Sequence, residues 1–250
     1  MRGVRRVVRW APGGAALVAL VLCAVAGDRP GSSDRETTAV PVERAHAAPA
    51  PRIVPRTRWL AGMKTYDRAP VRYGDRVVAV FVHHTDSPNG YDCADVPGII
   101  RLVYAGQAGG KEWDDIGYNF LVDRCGTVYE GRAGGVDRPV VGAHTQGFNQ
   151  DTAGIAAIGT FSEGTPVPKA MADSIAALAA WKLGLSGIDP RSTVRLTSSN
   201  DLSRYKKGTS AAFHAIAGHR DGYNTACPGE ALMRALPAIR ARAARLQGRG

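Results

Sequence analysis

The run Val77-Val78-Ala79-Val80-Phe81-Val82-His83-His84 decides how this chain folds. Its first six residues are all apolar, and most are β-branched or aromatic. A run of that kind reads as a strand buried on both faces, as in parallel or mixed sheets covered by helices. Side chains alternate along a strand, so His83 shares a face with Ala79 and Phe81 while His84 points elsewhere. Only one histidine of the pair is therefore expected to reach a site at the end of this strand.

Reading outward, Asp95 is a good N-cap, and residues 95–107 read as a helix with Ile99, Leu102 and Val103 on its apolar face. The glycines Gly106, Gly109 and Gly110 end it. Residues 116–122 and 127–130 flank Arg124-Cys125-Gly126 and read as a hairpin. Residues 140–143 and 155–161 read as further strands. Residues 168–183 read as a helix, with Pro168 near its first turn, Gly184 as its stop, and Met171, Ile175, Leu178 and Trp181 as a core-facing stripe. Short strands at 194–197 and 213–216 surround a lysine-bearing excursion at 205–208. A last helix covers 229–246, with Pro237 as a kink point. The sequence has no internal repeats. Strands interleaved with helices, plus one hairpin, predict an α/β fold: a single domain with a central mixed β-sheet flanked by helices.

The first 26 residues read as a signal peptide, with Arg2, Arg5, Arg6 and Arg9 before an apolar stretch and Ala24-Val25-Ala26 as the cleavage site. A short membrane anchor is the rival reading of this segment. Residues 27–50 read as a disordered linker, rich in Gly, Pro, Ser, Ala and charge without hydrophobic periodicity. Residues 51–247 form the domain. Nothing later reads as a membrane span, so the expectation is a secreted, extracellular, wall-associated monomer with no stable membrane insertion after signal cleavage. Cys23 leaves with the leader, and Cys93, Cys125 and Cys227 remain. An oxidising compartment favours pairing two of the three. Cys93 and Cys125 both lie in the first half of the fold and are assigned to each other, which leaves Cys227 free. The formal charge of +10 suits nucleic acid, an anionic membrane surface or an anionic wall polymer. No nucleic-acid recognition motif is present, and nucleic acid is excluded as a partner. Arg240, Arg242 and Arg245 read as the solvated face of the last helix.

The stretch Gly218-His219-Arg220-Asp221-Gly222-Tyr223-Asn224-Thr225-Ala226-Cys227-Pro228-Gly229 sets His219 eight residues before Cys227. With His83 these make two imidazoles and one thiolate, a donor set for one catalytic Zn²⁺ with its fourth position left for water or substrate. A blue-copper site is the competing reading, but it expects an axial methionine, and Met63, Met171 and Met233 lie outside the ligand loops. A Cys–His nucleophilic hydrolase is the other rival, and a thiolate tied to zinc does not serve as its nucleophile. The H-E-x-x-H signature of common zinc proteases is absent. Tyr118, in Asp115-Ile116-Gly117-Tyr118-Asn119-Phe120, is a candidate hydrogen-bond partner for the water or the oxyanion.

Six short motifs follow one another in order: Arg56-Thr57-Arg58-Trp59, Phe81-Val82-His83-His84-Thr85, the run from Asp115 to Phe120, Gly142-Ala143-His144-Thr145, Gly218-His219-Arg220-Asp221 and Ala226-Cys227-Pro228-Gly229. Through them residues 52–246 resemble the peptidoglycan recognition protein and zinc N-acetylmuramoyl-L-alanine amidase family, which includes phage T7 lysozyme. The resemblance implies that His83, His219 and Cys227 hold zinc and that Tyr118 is a catalytic partner. Thr225, two residues before the ligand cysteine where some relatives carry lysine, is implied as a neutral catalytic hydroxyl. His144 and Arg220 are implied as substrate contacts. Glu130-Gly131-Arg132 is followed by Ala133-Gly134-Gly135 rather than by a tryptophan, which implies a less aromatic groove. The implied activity is hydrolysis of the lactyl–L-alanine amide bond of peptidoglycan or muropeptides. The alternative is a non-catalytic peptidoglycan-binding module, but members that only bind typically lack the ligand cysteine that is present here.

Overall fold

Six strands build the central sheet of the computed structural model: β1 (Ile53–Val54), β2 (Ala79–His84), β3 (Phe120–Val122), β4 (Val128–Glu130), β5 (Thr152–Ala157) and, last in the chain, β8 (Ile216–Gly218). The structure describes residues 46–250 apart from Lys64, Asp67, Arg68 and Glu112. The signal peptide assigned to 1–26 and most of the linker assigned to 27–50 lie outside the described residues. The sheet order is β1-β4-β3-β5-β2-β8, and only the β3–β4 pair is antiparallel. A separate antiparallel ribbon pairs β6 (Thr193–Thr197) with β7 (Ser210–His214). The helices are α1 (Arg56–Leu60), α2 (Val96–Tyr104), α3 (Lys169–Gly184), α4 (His219–Gly222) and α5 (Glu230–Leu246). The mixed sheet flanked by helices is the architecture expected from the sequence.

Alternation along β2 sorts the core. Val80 and Val82 face α3 and α5, where they join Ile155, Met171, Ile175, Leu178, Leu232, Leu236 and Ile239. Ala79 and Phe81 face the other way and pack with Phe148, Leu196, Phe213 and Ala217 beneath the ribbon. A third cluster, including Trp59, Ile100, Ile116, Leu121 and Tyr129, lies under α1 and α2. Each buried Val, Leu, Ile, Phe or Met among them contributes about 1.5–3 kcal/mol. Cys93 and Cys125 form a disulfide across 32 residues, which ties the start of α2 to the β3–β4 turn. Loop closure of that length stabilises by about 3–4 kcal/mol. Cys227 remains a free, buried thiol.

Several elements differ from their sequence expectations. The stretch 140–143 makes only a single bridge, Val140 with Tyr73. Its amides go to carbonyls outside the named strands, Val141 to Arg72 and Ala143 to Gly117 at 2.9 Å, and Asn149 Oδ1 accepts the next two, from His144 and Thr145, at 2.8 Å. The strand expected at 155–161 is shifted toward the N-terminus, because its ladder with β2 begins at Thr152 and Gly159 leaves it with φ +132°. The strand expected at 213–216 is split at Ala215: β7 belongs to the ribbon and β8 to the central sheet. Only Phe120–Val122 of the strand expected at 116–122 is strand. The helix expected at 95–107 is α2, which stops at Tyr104 and widens into a π-type turn, Ala105–Gly110. Three glycines there weaken the tighter helical winding. α5 runs through Pro237. Residues 46–50, read as linker, belong to the folded structure: Ala48 is buried against the core, and His46 Nδ1 lies 3.2 Å from the Gln247 carbonyl oxygen.

Lys182 of α3 is buried and donates to the carbonyls of Val136 and Arg138 at 2.6 and 2.8 Å. Burial lowers its pKa from 10.5 to about 8, opposed by Asp137. Above pH 8 the native amine loses its proton while the unfolded one keeps it up to about 10.5, so this group adds stability as pH rises through that window. Denaturant titrations of the wild type and Lys182→Met should therefore diverge in favour of the wild type between pH 8 and 10.5. A constant difference across that range would contradict the buried-ammonium account.

Candidate metal centre and groove

Strand register brings the two candidate histidines together. Val82 pairs with Gly218 across the parallel β2–β8 ladder, so the next residues, His83 and His219, come side by side. Their ring centroids are 4.3 Å apart. The loop after α4 returns to these strand ends with Cys227, held by Arg220 N–H donating to the Cys227 carbonyl at 3.0 Å and by His84 N–H donating to Cys227 Sγ at 3.3 Å. One ligand atom from each of His83, His219 and Cys227 lies within 4.8 Å of the others. Cys227 Sγ stands 3.9 Å from His83 Nδ1. A tetrahedral zinc with ordinary Zn–N and Zn–S bonds separates such a pair by about 3.6 Å.

The electrostatics suit a soft cation. Burial holds His83 well below the usual imidazole range, with His219, His144 and His84 adding to the effect. Burial, then His84, lowers His219 to about 4. Both rings are neutral near pH 7 and offer lone pairs. Burial pushes the Cys227 thiol up to about 12, so it ionises only when a cation arrives. His84 leaves the strand on the other side: its Nδ1 accepts from Phe161 N–H at 3.5 Å, and its Nε2 lies 3.9 Å from Asp86. Cys93 and Cys125 lie near Asp123, but the disulfide consumes their sulfurs.

A groove of about 440 Å³ opens beside His219, lined by Gln107, Trp113, Tyr118, His144 and Tyr223 among others. The Tyr118 and His83 ring centroids are 5.2 Å apart. Burial, then the nearby Cys227, raises the Tyr118 pKa, so the phenol keeps its proton and acts as a donor. His144 lines the groove with its ring packed inward: Nδ1 lies 3.2 Å from His83 Nε2 and Nε2 lies 3.4 Å from Thr152 Oγ1. A second cavity of about 410 Å³ lies on the Cys227 side and is lined by Thr225 and Arg220. Thr225 Oγ1 accepts the Cys227 amide at 3.2 Å. The Arg220 guanidinium is paired with Glu230 at 2.7 Å. The structure therefore sets Tyr118, His144 and His219 on one groove, Cys227, Thr225 and Arg220 on the other cavity, and buries His83 against His219, Cys227 and His144.

Sequence reading overlooked three residues here. Gln107 Oε1 accepts Gly117 N–H at 2.8 Å and shapes the turn carrying Tyr118. Asn149 closes the turn that follows His144, and Tyr223 stacks on His219 at 5.5 Å. Gln107 sits among helix-weakening glycines and Asn149 closes Gly142-Ala143-His144-Thr145-Gln146-Gly147-Phe148, which are the local signals that mark both turns. The Arg56 motif also acquires a physical role. Arg56 grips the Asp115 carboxylate through both terminal nitrogens, at 2.8 and 3.0 Å, and Trp59 Nε1 donates to the Glu130 carbonyl at 2.7 Å.

Fold and site together define an α/β domain with a His–His–Cys cluster at the C-terminal ends of two neighbouring parallel strands. A family model described as N-acetylmuramoyl-L-alanine amidase matches residues 73–230, and the chain belongs to that family. It is 33% identical over 189 residues to the N-acetylmuramoyl-L-alanine amidase of Sus scrofa, an alignment covering 74% of this chain and 27% of the pig protein. It is 34% identical over 119 residues to peptidoglycan-recognition protein LE of Drosophila melanogaster, covering 48% of this chain and 33% of that protein. The chain thus spans about a third or less of the length of these two relatives. Among solved structures it resembles wild-type Drosophila PGRP-LB, with a TM-score of 0.55 and 26% identity over 73% of this chain and 91% of that one. It likewise resembles peptidoglycan recognition protein LE in complex with tracheal cytotoxin, with a TM-score of 0.56 and 26% identity over 74% of this chain and 92% of that one. No helix among the described residues is long and apolar enough to cross a membrane.

Proposed function

We propose that this domain is a secreted, zinc-dependent N-acetylmuramoyl-L-alanine amidase that hydrolyses the bond between the muramyl lactyl group and L-alanine in peptidoglycan or muropeptides. The observation that carries this reading is the convergence of His83, His219 and Cys227 ligand atoms within 4.8 Å, beside a groove lined by Tyr118. Zinc held there supplies Lewis acidity toward an amide carbonyl and acidifies water. His83, His219 and Cys227 would hold the ion through two neutral imidazoles and one thiolate, a three-donor set that would leave room for water or substrate.

The chain's own residues do the rest. Tyr118 keeps its phenolic proton and donates to the oxyanion that develops as the amide carbonyl is attacked. Thr225 holds the Cys227 amide, and a hydroxyl that accepts one hydrogen bond still has its own proton to donate. The ligand cluster is reached from two cavities, His219 lining the first and Cys227 the second. His144 borders the first cavity and Arg220 the second. Export is supported by the signal-like residues 1–26 and by the Cys93–Cys125 disulfide.

The test is digestion of purified peptidoglycan with and without chelator, followed by mass analysis. Chelator-sensitive release of stem peptides with a new L-alanine amino terminus is expected. Tight sedimentation with the wall and no released peptide would instead identify a binding module. Tyr118→Phe should lower kcat by about 10²–10³-fold, the usual cost of losing one oxyanion donor, while zinc content stays unchanged. Unchanged turnover would remove Tyr118 from the chemistry.

A further inference from the structure

We propose that His144 is a positioning residue that fixes the tautomer of His83, so that His83 presents Nδ1 to the metal. This rests on the zinc reading of the same site. The polarity of the arrangement is set at its far end by the Phe148 carbonyl, which can only accept a hydrogen bond. Thr152 Oγ1 lies 2.6 Å from that oxygen and donates to it. The lone pairs of Thr152 Oγ1 then face His144 Nε2 at 3.4 Å, so Nε2 carries the His144 proton. His144 Nδ1 is thereby left as an acceptor, 3.2 Å from His83 Nε2, which must donate. A neutral His83 with its proton on Nε2 has a bare lone pair on Nδ1, the atom 3.9 Å from Cys227 Sγ. Thr145 Oγ1 lies 3.0 Å from His144 Nδ1 and 3.5 Å from His83 Nε2. As a hydroxyl it takes either role and does not set the direction.

The fold is built around this ring. His144 is 5% exposed and packs flat on the β5 backbone, where a Cβ added to Gly154 would stand 2.5 Å from His144 Cγ. At Gly142 an added Cβ would stand 2.6 Å from His144 Cδ2. With both nitrogens committed inward, His144 acts on the reaction through His83. Outer partners of this kind tune metal affinity by about 10–100-fold.

Two measurements test the proposal. Nitrogen-15 shifts of the imidazoles report where each ring proton sits, with or without metal; Nε2 protonation of both His83 and His144 is expected. A proton on His144 Nδ1 would overturn the relay. Zinc affinity, measured by chelator competition, should weaken about 10–100-fold in His144→Leu, and the visible spectrum of bound Co²⁺ should shift. His144→Asn, whose Oδ1 stands where Nδ1 stood, should recover most of the loss. Should the leucine variant fail to fold, Thr152→Val removes the next acceptor at similar volume and should weaken zinc binding in the same direction. Wild-type zinc affinity in a folded His144→Leu or Thr152→Val protein sinks the proposal. A wild type that binds no zinc sinks instead the proposed function, while the ring-proton positions still decide the relay.

Discussion

Cys227→Ala is expected to abolish zinc retention and stem-peptide release together. The thiol is one of three donors, and it is the one that brings charge to the site. Structural zinc sites gain about 10–16 kcal/mol from their ligands, so losing one donor costs about 3–4 kcal/mol, on the order of 10²–10³ in affinity. Two neutral imidazoles then hold the ion too weakly to survive dialysis. The wild-type thiol is held protonated by burial, so zinc uptake by the wild type should release one more proton per ion than uptake by the alanine variant. Metal analysis after dialysis and calorimetry in buffers of different ionisation enthalpy measure both effects. Amide hydrolysis by a zinc-free Cys227→Ala protein would overturn the metal mechanism.

The second large effect is on stability. Arg56→Met should destabilise the fold by about 3–5 kcal/mol at neutral pH, because it breaks a buried, bidentate ion pair. The Arg56 and Asp115 side chains are 12% and 3% exposed. Burial by itself would raise the Asp115 pKa; the Arg56 guanidinium, with the amides of Ala133 and Ile116, outweighs it and holds the carboxyl below its usual range. The wild-type stabilisation from Asp115 is therefore present above the unfolded carboxyl pKa and is lost as pH falls through the lower folded one. In Arg56→Met the folded carboxyl is raised relative to the wild type, so the variant takes up its proton at a higher pH. The gap between the two proteins should thus narrow from pH 7 toward pH 4, and Asp115→Asn added to Arg56→Met should recover part of the loss. Urea titrations at both pH values decide it; a gap that is small, or that widens in acid, would contradict the buried-pair account.

Much of this molecule was legible before any coordinates. The run 77–84 announced a buried strand because nothing polar interrupts it, and its alternation put His83 with Phe81 on the face away from α3 and α5. The odd cysteine count left Cys227 free beside His219. Two of the misread elements share one cause. Residues 140–143 look like a strand locally, yet their amides go to carbonyls outside the named strands, at Arg72 and Gly117, and Asn149 takes the next two. Residues 213–216 look continuous, yet their two halves find different partners. Backbone donors go to whichever acceptor the surrounding fold supplies, and propensity does not register that competition.

His144 shows where the boundary falls. Residue types and their order were enough to mark the metal donors, because zinc chemistry selects nitrogen and sulfur whatever the scaffold. They placed His144 on the groove as a substrate contact but said nothing of its partners. Those depend on β5 lying beside β2, on Gly154 leaving room for a ring, and on one acceptor-only carbonyl at Phe148. Donor chemistry is a property of single side chains and survives in the one-dimensional text. Hydrogen-bond polarity is a property of neighbours, and His83 and His144 became neighbours only through the packing of strands and turns 61 residues apart.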